Sequence, residues 1–567
     1  MKRIPYGISN FEVLREKNYL YVDKTSYIDI LEKYAPYQFF IRPRRFGKSL
    51  FISMLENYYD MNKNDKFEKL FGDLYIGQNP TEEKNNFLVW KISFAGVDAG
   101  HGEEELRKSF NEKIIISMEK FINYYSNLLE DKVVPKEITS AEIAVQYISL
   151  LASKIKKQVF VLIDEYDNFA NELITGGNQN TYKSILHGEG FVKVFYKALK
   201  DATADNFARI FMTGVSPIML DDMTSGFNIT RNYTLDRNLN AMLGFTRDEL
   251  LTIMDKVSLN DCELRKKICK DMTEYYNGYR FNEKCKSVFN PDMTMYFLDQ
   301  YLLYNEYPEQ MIDNNVKTDY GKVNQLAYNF NDTEALDEII STGETSTILV
   351  DRFNIHTMYS EKENFKSLLF YLGMLTIKGH GPSGTILRIP NYVIKTIYWE
   401  QNFQKVNEDY NIQIKDVRDV VTQMRMYGDI KPLIEIVRSI LENLSNRDLI
   451  QMDEKNVKMM FLTLLGVDST YFIKSENENN NGYVDLMLRR KIQLKDITKF
   501  EWIIELKYIK ESDRNTFKKV KEQGLKQLQM YGESKMVQDE LEKEGLKKVL
   551  IIVIGKKDIY IENSNQQ

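Results

Sequence analysis

A chain of 567 residues is too long for one hydrophobic core, so two to four domains are expected. Hydrophobic residues at 43% and charged residues at 28% are ordinary for a soluble globular protein, and only 11 prolines and 28 glycines exclude a collagen-like or wholly disordered chain. A net charge of −6 argues against non-specific coating of nucleic acid, although the part from Gln451 onward carries 21 Lys and Arg against 19 Asp and Glu, a net of +2, leaving −8 for residues 1–450. Cys262, Cys269 and Cys285 form no C-x-x-C pair and read as free thiols in a reducing compartment. His101, His187, His356 and His380 have no zinc spacing. No run of about 18 apolar residues occurs and the first residues, MKRIPYGISNFEVL, lack an apolar leader, so a cytoplasmic protein without a membrane partner is expected.

Residues 1–36 precede the first sheet strand, with Val22-Asp23-Lys24-Thr25 reading as a turn that caps a helix over SYIDILEKY. Tyr37–Ile41 is a short apolar strand entering IRPRRFGKSL, Ile41–Leu50. A strand, then Gly47-Lys48-Ser49, then the amphipathic SLFISMLENYY has the form of a phosphate-binding loop at a helix N-terminus. Gly47 lets the backbone come close to a polyphosphate such as that of ATP, Lys48 reaches the outer phosphates, and Ser49 holds Mg²⁺. Arg44, Arg45, Phe46 and Leu50 complete the candidate nucleotide loop. The first glycine of G-x-x-x-x-G-K-[ST] is missing, because position 42 is Arg42, and Pro43, Arg44 and Arg45 stiffen and charge the loop. Alone, the tripeptide also fits a basic helix start that binds nothing.

Phe87–Val97 is the next expected strand and Glu103–Leu129 a long helical stretch. Val159–Asp167, VFVLIDEYD, is a continuous apolar run ending in acids, the pattern of a strand buried on both faces of a parallel sheet. Asp164 at its end is placed to bind Mg²⁺, directly or through water, and Glu165 to polarise an attacking water. The separation of 116 positions from Lys48 to Asp164 leaves room for a further strand and helices. Ala208–Val215 is another buried strand. Thr213 at its end reads equally as a sensor touching the γ-phosphate and as a strand-end threonine satisfying a turn. Arg44, Arg45, Arg231 and Arg280 are the candidate cations for a transferring phosphoryl group, each also readable as a surface or structural arginine. Strands separated by helices predict an α/β sheet with its ligand at the carboxyl ends of the strands.

Residues from about 296 to 450 are helical by pattern. Within them, Asn364–Ile394 reads as a helix ending at Gly373, a strand, a Gly/Pro/Ser turn and a second strand. A helix with a β-hairpin wing resembles a winged-helix module. With only Lys378 and Arg388 on the hairpin, a lever or packing role is expected ahead of DNA binding.

Toward the C-terminus, Gly482–Leu488 is a strand containing Asp485, and Glu501–Tyr508 a second with Glu505 and Lys507 on one face by its period of two. If the strands form a hairpin, Asp485 faces that pair. Two carboxylates and a lysine on one sheet face suit metal-dependent phosphodiester cleavage: the acids hold Mg²⁺ and the lysine positions water or steadies charge. Glu454, on the helix before the sheet, is a further candidate ligand. The bland reading is a surface pair on a half-exposed hairpin. Three ionisable groups inside GYVDLML and WIIELKY are costly to bury without a role.

FIRPRRFGKSL followed by VLIDEYD resembles the bacterial AAA-ATPase-like proteins, which often carry a C-terminal PD-(D/E)XK nuclease domain. Further matches are Tyr21–Thr25, Met212–Ser216, Leu243–Thr246, Tyr276–Phe281 and Asn290-Pro291, with the D…ExK set of Asp485, Glu505 and Lys507, and Gln527 on the following helix. In that family the arginine-rich loop without its first glycine is the usual form. The resemblance implies an α/β fold: a P-loop NTPase parallel sheet with helices over residues 1–295, a helical region over 296–449 including the winged-helix-like module at about 364–394, and a restriction-endonuclease-like α/β domain over 450–567. It implies an ATP-binding and ATP-hydrolysing enzyme joined to a Mg²⁺-dependent nuclease, with nucleic acid as partner, DNA ahead of RNA, and a homo-oligomer allowed; that nucleotide state controls the nuclease is expected only because the two sites share one chain. The rival is a nucleotide-dependent switch, or a nucleic-acid-binding protein that does not cleave.

Overall fold

The computed structural model describes the chain apart from residues 1, 99, 101, 130–137, 176–180, 182–184, 186–189, 220–226, 321–325, 327–329, 331, 354–357, 360, 446–451, 469, 480–481 and 565–567, so His101, His187 and His356 lie outside the described residues. It divides into two units, Met1–Asp299 with Gln325–Asp332 and Ser346–Tyr392, and Gln300–Asn324 with Thr333–Thr345 and Val393–Gln567. No helix among the described residues is long and apolar enough to cross a membrane.

In the first unit, β1 (Tyr37–Ile41), β2 (Leu88–Ser93), β3 (Val159–Asp164), β4 (Phe207–Gly214) and the two-residue β5 (Arg231–Asn232) form an all-parallel sheet of order β2-β3-β4-β1-β5. Every residue of β3 is buried, as its unbroken apolar run requires. The expected strand over 87–97 shortens to β2, that over 208–215 shifts by one residue to β4, and the long helix ends at Tyr124. The wide gap in sequence after the loop holds β2 and the helices Glu103–Tyr124 and Ala141–Lys154. In space, β4 lies between β1 and β3, with Thr213 beside Phe40 and Met212 beside Ile163. The carboxyl ends of the three strands therefore lie side by side on one sheet edge, where parallel sheets bind ligands.

The helix Lys362–Tyr371 is followed by the hairpin β7 (Thr376–Gly381) and β8 (Gly384–Arg388), which with β6 (Glu344–Thr347) makes a small sheet of order β6-β8-β7. The hairpin belongs to the first unit and is fastened to the Tyr276–Phe281 segment. The Arg280 amide donates to Thr376 Oγ1 at 2.7 Å, its Nε donates to the Ile377 carbonyl at 2.8 Å, and its Nη2 to the Lys378 carbonyl. Gly278, at φ +107°, approaches so closely that a Cβ there would lie 1.9 Å from the Pro390 carbonyl oxygen. Gly278→Ala is expected to destabilise the protein by at least about 2 kcal/mol, read by urea unfolding, because it combines a left-handed backbone with a clash against main chain.

In the second unit, β9 (Tyr471–Asn479), β10 (Gly482–Arg490), β11 (Glu501–Ile509), β12 (Leu546–Ile554) and β13 (Asp558–Asn563) form a mixed sheet of order β13-β12-β11-β10-β9. Only β11 and β12 pair in parallel. Their crossover carries the helix Phe517–Gly532, whose Leu528 and Tyr531 pack with Val484, Ile503, Ile509 and Leu550. The helices Ile414–Tyr427, Lys431–Asn443 and Glu454–Gly466 precede the sheet. The fold is α/β throughout: a parallel five-stranded sheet, a helical middle and a C-terminal mixed sheet.

Candidate functional site

The candidate phosphate loop is built from the inside. Gly47 caps the helix Lys48–Tyr59 at φ +88°, and Arg45 is also left-handed at φ +67°. Lys48 is buried, and its Nζ donates to the carbonyls of Arg42 at 2.9 Å and Pro43 at 2.8 Å. Burial pulls its pKa down to about 8, against the opposing fields of Asp164, Asp167 and Glu165. Ser49 and Leu50 follow, both half-buried. Arg42, standing where a glycine is expected, turns inward and is fully buried. Its Nη1 donates to the Ile41 and Thr234 carbonyls, each at 2.8 Å, and its Nη2 to the Leu239 carbonyl at 3.0 Å. The guanidinium carbon lies 4.1 Å from the Phe40 ring centre and 3.8 Å from that of Phe281. Phe46 is likewise internal, edge-on to Tyr279 and Phe281. Arg44 and Arg45 stay at the surface, and Arg44 acts electrostatically on both Lys48 and Glu165. Arg42→Gly would restore the more familiar glycine, yet it is expected to cost about 3 kcal/mol in thermal or urea unfolding, because it strands three buried carbonyls.

At the end of β3, Asp164 is buried, and its Oδ1 has no hydrogen-bond partner among the described residues. Glu165 is left-handed at φ +53°, and burial, followed by the neighbouring Asp164 charge, raises its pKa. The Thr213 hydroxyl donates to the Phe40 carbonyl at 2.7 Å and so joins β4 to β1. Arg280 is held by β7 as described, and Arg231 lies 5.5 Å from the Tyr233 ring centre. Beside Gly47 and Leu50 opens a small apolar cleft, walled also by Tyr21, Val22, Leu243 and Phe245. Composition did not single out these four as site residues; the matches at Tyr21–Thr25 and Leu243–Thr246 are the trace the cleft leaves in sequence.

In the second unit, β10 and β11 form the expected antiparallel pair, with Leu486 opposite Ile504. Asp485 accepts from the Leu506 amide at 2.9 Å, which fixes its carboxylate toward β11. Lys507 Nζ lies 2.8 Å from Glu505 Oε1, 3.2 Å from Glu454 Oε1 and 3.9 Å from Asp485 Oδ2. The four side chains proposed from sequence therefore converge, around an ammonium. Among the described residues no three His, Cys, Asp or Glu side chains are already gathered as a metal cage. Glu505 is 1% exposed and its Oε2 has no hydrogen-bond partner among the described residues. Burial, then Asp485, pushes its pKa up to about 8 despite Lys507. Burial also raises Glu454, whereas for Lys507 burial is overcome by the three acids and the pKa rises. Tyr531, one turn after Gln527 on the crossover helix, was not anticipated; its phenol is raised to about 12 by burial and then by Glu505 and Asp485.

A Gly-Lys-Ser turn leading out of one strand and an acid pair ending another, two places away in a parallel sheet, are the arrangement of the P-loop class of α/β protein. The model of a family described as predicted AAA-ATPase matches residues 5–224, and that of the PD-(D/E)XK nuclease superfamily matches residues 452–563. The chain carries an AAA-ATPase-like domain in its N-terminal part and a PD-(D/E)XK nuclease-superfamily domain in its C-terminal part. An uncharacterized protein in the vnfD 5′ region of Azotobacter chroococcum mcd 1 is 25% identical over 398 residues, spanning 70% of this chain and 68% of its own. The crystal structure of Cdc6p from Pyrobaculum aerophilum matches 66% of this chain and 89% of its own at 9% identity, with a TM-score of 0.25, too loose a likeness to carry an argument.

Proposed function

We propose that the N-terminal domain binds and hydrolyses ATP and that the C-terminal domain cuts phosphodiester bonds in nucleic acid, DNA ahead of RNA, as a cytoplasmic hydrolase. The observation that carries this reading is shared by both domains: a buried carboxylate oxygen without a partner, Asp164 Oδ1 in one and Glu505 Oε2 in the other, in the same cluster as a lysine. An unanswered buried carboxylate oxygen is expensive unless a cation takes it up. Ser49 and Asp164 would hold Mg²⁺ in the first, and Asp485, Glu505 and Glu454 in the second. Mg²⁺ when bound polarises a phosphate and lowers the pKa of a water.

Within the chain, Lys48 exchanges its contacts with the Arg42 and Pro43 carbonyls for phosphate oxygens, Gly47 admits the polyphosphate, and Glu165 takes a proton from the attacking water. The apolar cleft beside Leu50 takes the base. In the second domain Lys507 leaves its carboxylate partners to steady charge at the scissile phosphate. The working boundaries are 1–295, 296–449 and 450–567. One observation favours the non-cleaving switch instead: the three acids already satisfy Lys507 and form a closed ion-pair network. Incubating the purified protein with circular DNA, linear DNA and RNA in Mg²⁺ or Mn²⁺, with and without ATP, decides between them. Cleavage that disappears in Asp485→Ala supports the nuclease. No cleavage in any condition, with ATP still bound, leaves the switch.

A further inference from the structure

Glu165 pays for its position in backbone strain. At φ +53° it is a non-glycine residue in the left-handed region, at a cost of about 1 kcal/mol, and it is the residue assigned to water activation. Such strain persists only where the surroundings over-determine the chain. Here two neighbours do so. The Tyr166 amide donates to the Thr213 carbonyl and the Asn168 amide to the Glu165 carbonyl, each at 3.1 Å. The fully buried Tyr166 hydroxyl donates to the carbonyls of Ser216 at 2.5 Å and Ile218 at 2.7 Å, and its ring stands edge-on to Phe39.

Asp167, also fully buried, accepts from the amides of Val215 at 3.1 Å and Ser216 at 2.7 Å, from Ser216 Oγ at 2.9 Å and from Asn171 Nδ2 at 2.6 Å. Gly214 makes the closeness feasible, since a Cβ there would lie 2.3 Å from Asp167 Oδ1 and 2.5 Å from a Tyr166 ring carbon. The last two residues of DEYD thus grip the end of MTGVS, and the first two are left at the sheet edge.

We infer that Tyr166 and Asp167 are positioning residues for hydrolysis: they clamp the turn after β3 to the segment leaving β4 and hold Glu165 in the one backbone pose from which its carboxylate meets the attacking water. This rests on the ATP-hydrolysis reading above. A glutamate side chain reaches the same point from few backbone orientations, and a misplacement of about 1 Å costs about 100-fold in rate. The clamp ties Glu165 to β4, the strand beside the phosphate loop's own strand, so the water-activating acid and the phosphate loop share one rigid frame.

The test is a double-mutant cycle on ATP turnover and ATP affinity. Tyr166→Phe and, as the gentler variant, Ser216→Ala are each made alone and in the Glu165→Gln background, with single-turnover phosphate release and ATP Kd measured for all. The inference expects kcat to fall about 10- to 100-fold in Tyr166→Phe and less in Ser216→Ala, with Kd unchanged, and neither change to lower the residual rate of Glu165→Gln further. Equal losses in both backgrounds, or a Kd that rises as kcat falls, would overturn it. A wild type that binds ATP and releases no phosphate would overturn the hydrolysis reading itself, a result seen before any variant is compared.

Discussion

Lys48→Ala is expected to weaken ATP binding by about 100-fold, the equivalent of the roughly 2–3 kcal/mol that a charge-assisted contact to phosphate contributes. Lys48 is buried between its loop carbonyls and the acids of β3, so its loss leaves those carbonyls partnerless as well as removing the phosphate ligand. Glu165→Gln is expected to behave differently: affinity for ATP stays within a few-fold while turnover falls by about 100- to 10,000-fold, the range of a lost general base. Isothermal titration with steady-state phosphate release separates the two. A Lys48→Ala protein that still binds ATP normally removes the nucleotide site from this loop. Running DNA cleavage in the same Lys48→Ala protein with ATP present asks whether the two domains are coupled, and unchanged cleavage dismisses that coupling.

Glu505→Gln is expected to abolish metal-dependent cleavage, a loss of at least about 1,000-fold, while leaving the protein no less stable at neutral pH. The second half follows from the sign of the pKa shift. Burial and Asp485 hold the Glu505 carboxyl up to about 8 in the folded chain, well above its ordinary value. Below the ordinary range the group is protonated whether folded or not, and it costs nothing. As pH rises from there toward about 8, the unfolded chain releases the proton and the folded chain keeps it, so folding stability falls across that window. Glutamine cannot titrate. The variant's melting temperature relative to wild type should therefore rise between pH 5 and pH 8, and a difference that falls instead would mean that the Lys507 pair dominates the site. Lys507→Ala is the contrasting change: it leaves the carboxyl groups of Glu454, Asp485 and Glu505 facing one another without their cation, and it should lose both cleavage and stability.

The strands of the first site were legible because β1 and β3 are apolar runs that lead into ionisable residues, and those of the second because ionisable residues stand inside the otherwise apolar β10 and β11. Their boundaries shifted by a few residues, as at β2 and at the end of the Glu103 helix. The hairpin of β7 and β8 was legible from its Gly/Pro/Ser turn. Sheet order was not, because the pattern of β4 holds no trace of the two strands between which it pairs. The inward turn of Arg42 was equally hidden: its partners Thr234 and Leu239 lie almost two hundred residues on, and a basic residue in a basic loop reads as a phosphate contact. Arg280 misleads in the same way, since the carbonyls it binds belong to β7. The convergence of Asp485, Glu505 and Lys507 was legible because period two and one hairpin suffice to bring them together, and Tyr531 was not, because it arrives from a helix after the sheet strand.

The burial of Arg42 changes what kind of object the phosphate loop is. A glycine-rich loop is a local hinge whose opening costs little and leaves the domain intact. Here the loop is bolted at its base through a guanidinium that touches Phe40 on β1, Phe281 in the segment fastened to the hairpin, and two carbonyls beyond β5. Loosening the loop means withdrawing a charge from the interior, so the loop has no low-energy excursion of its own and opens only in the same cooperative event that melts its surroundings.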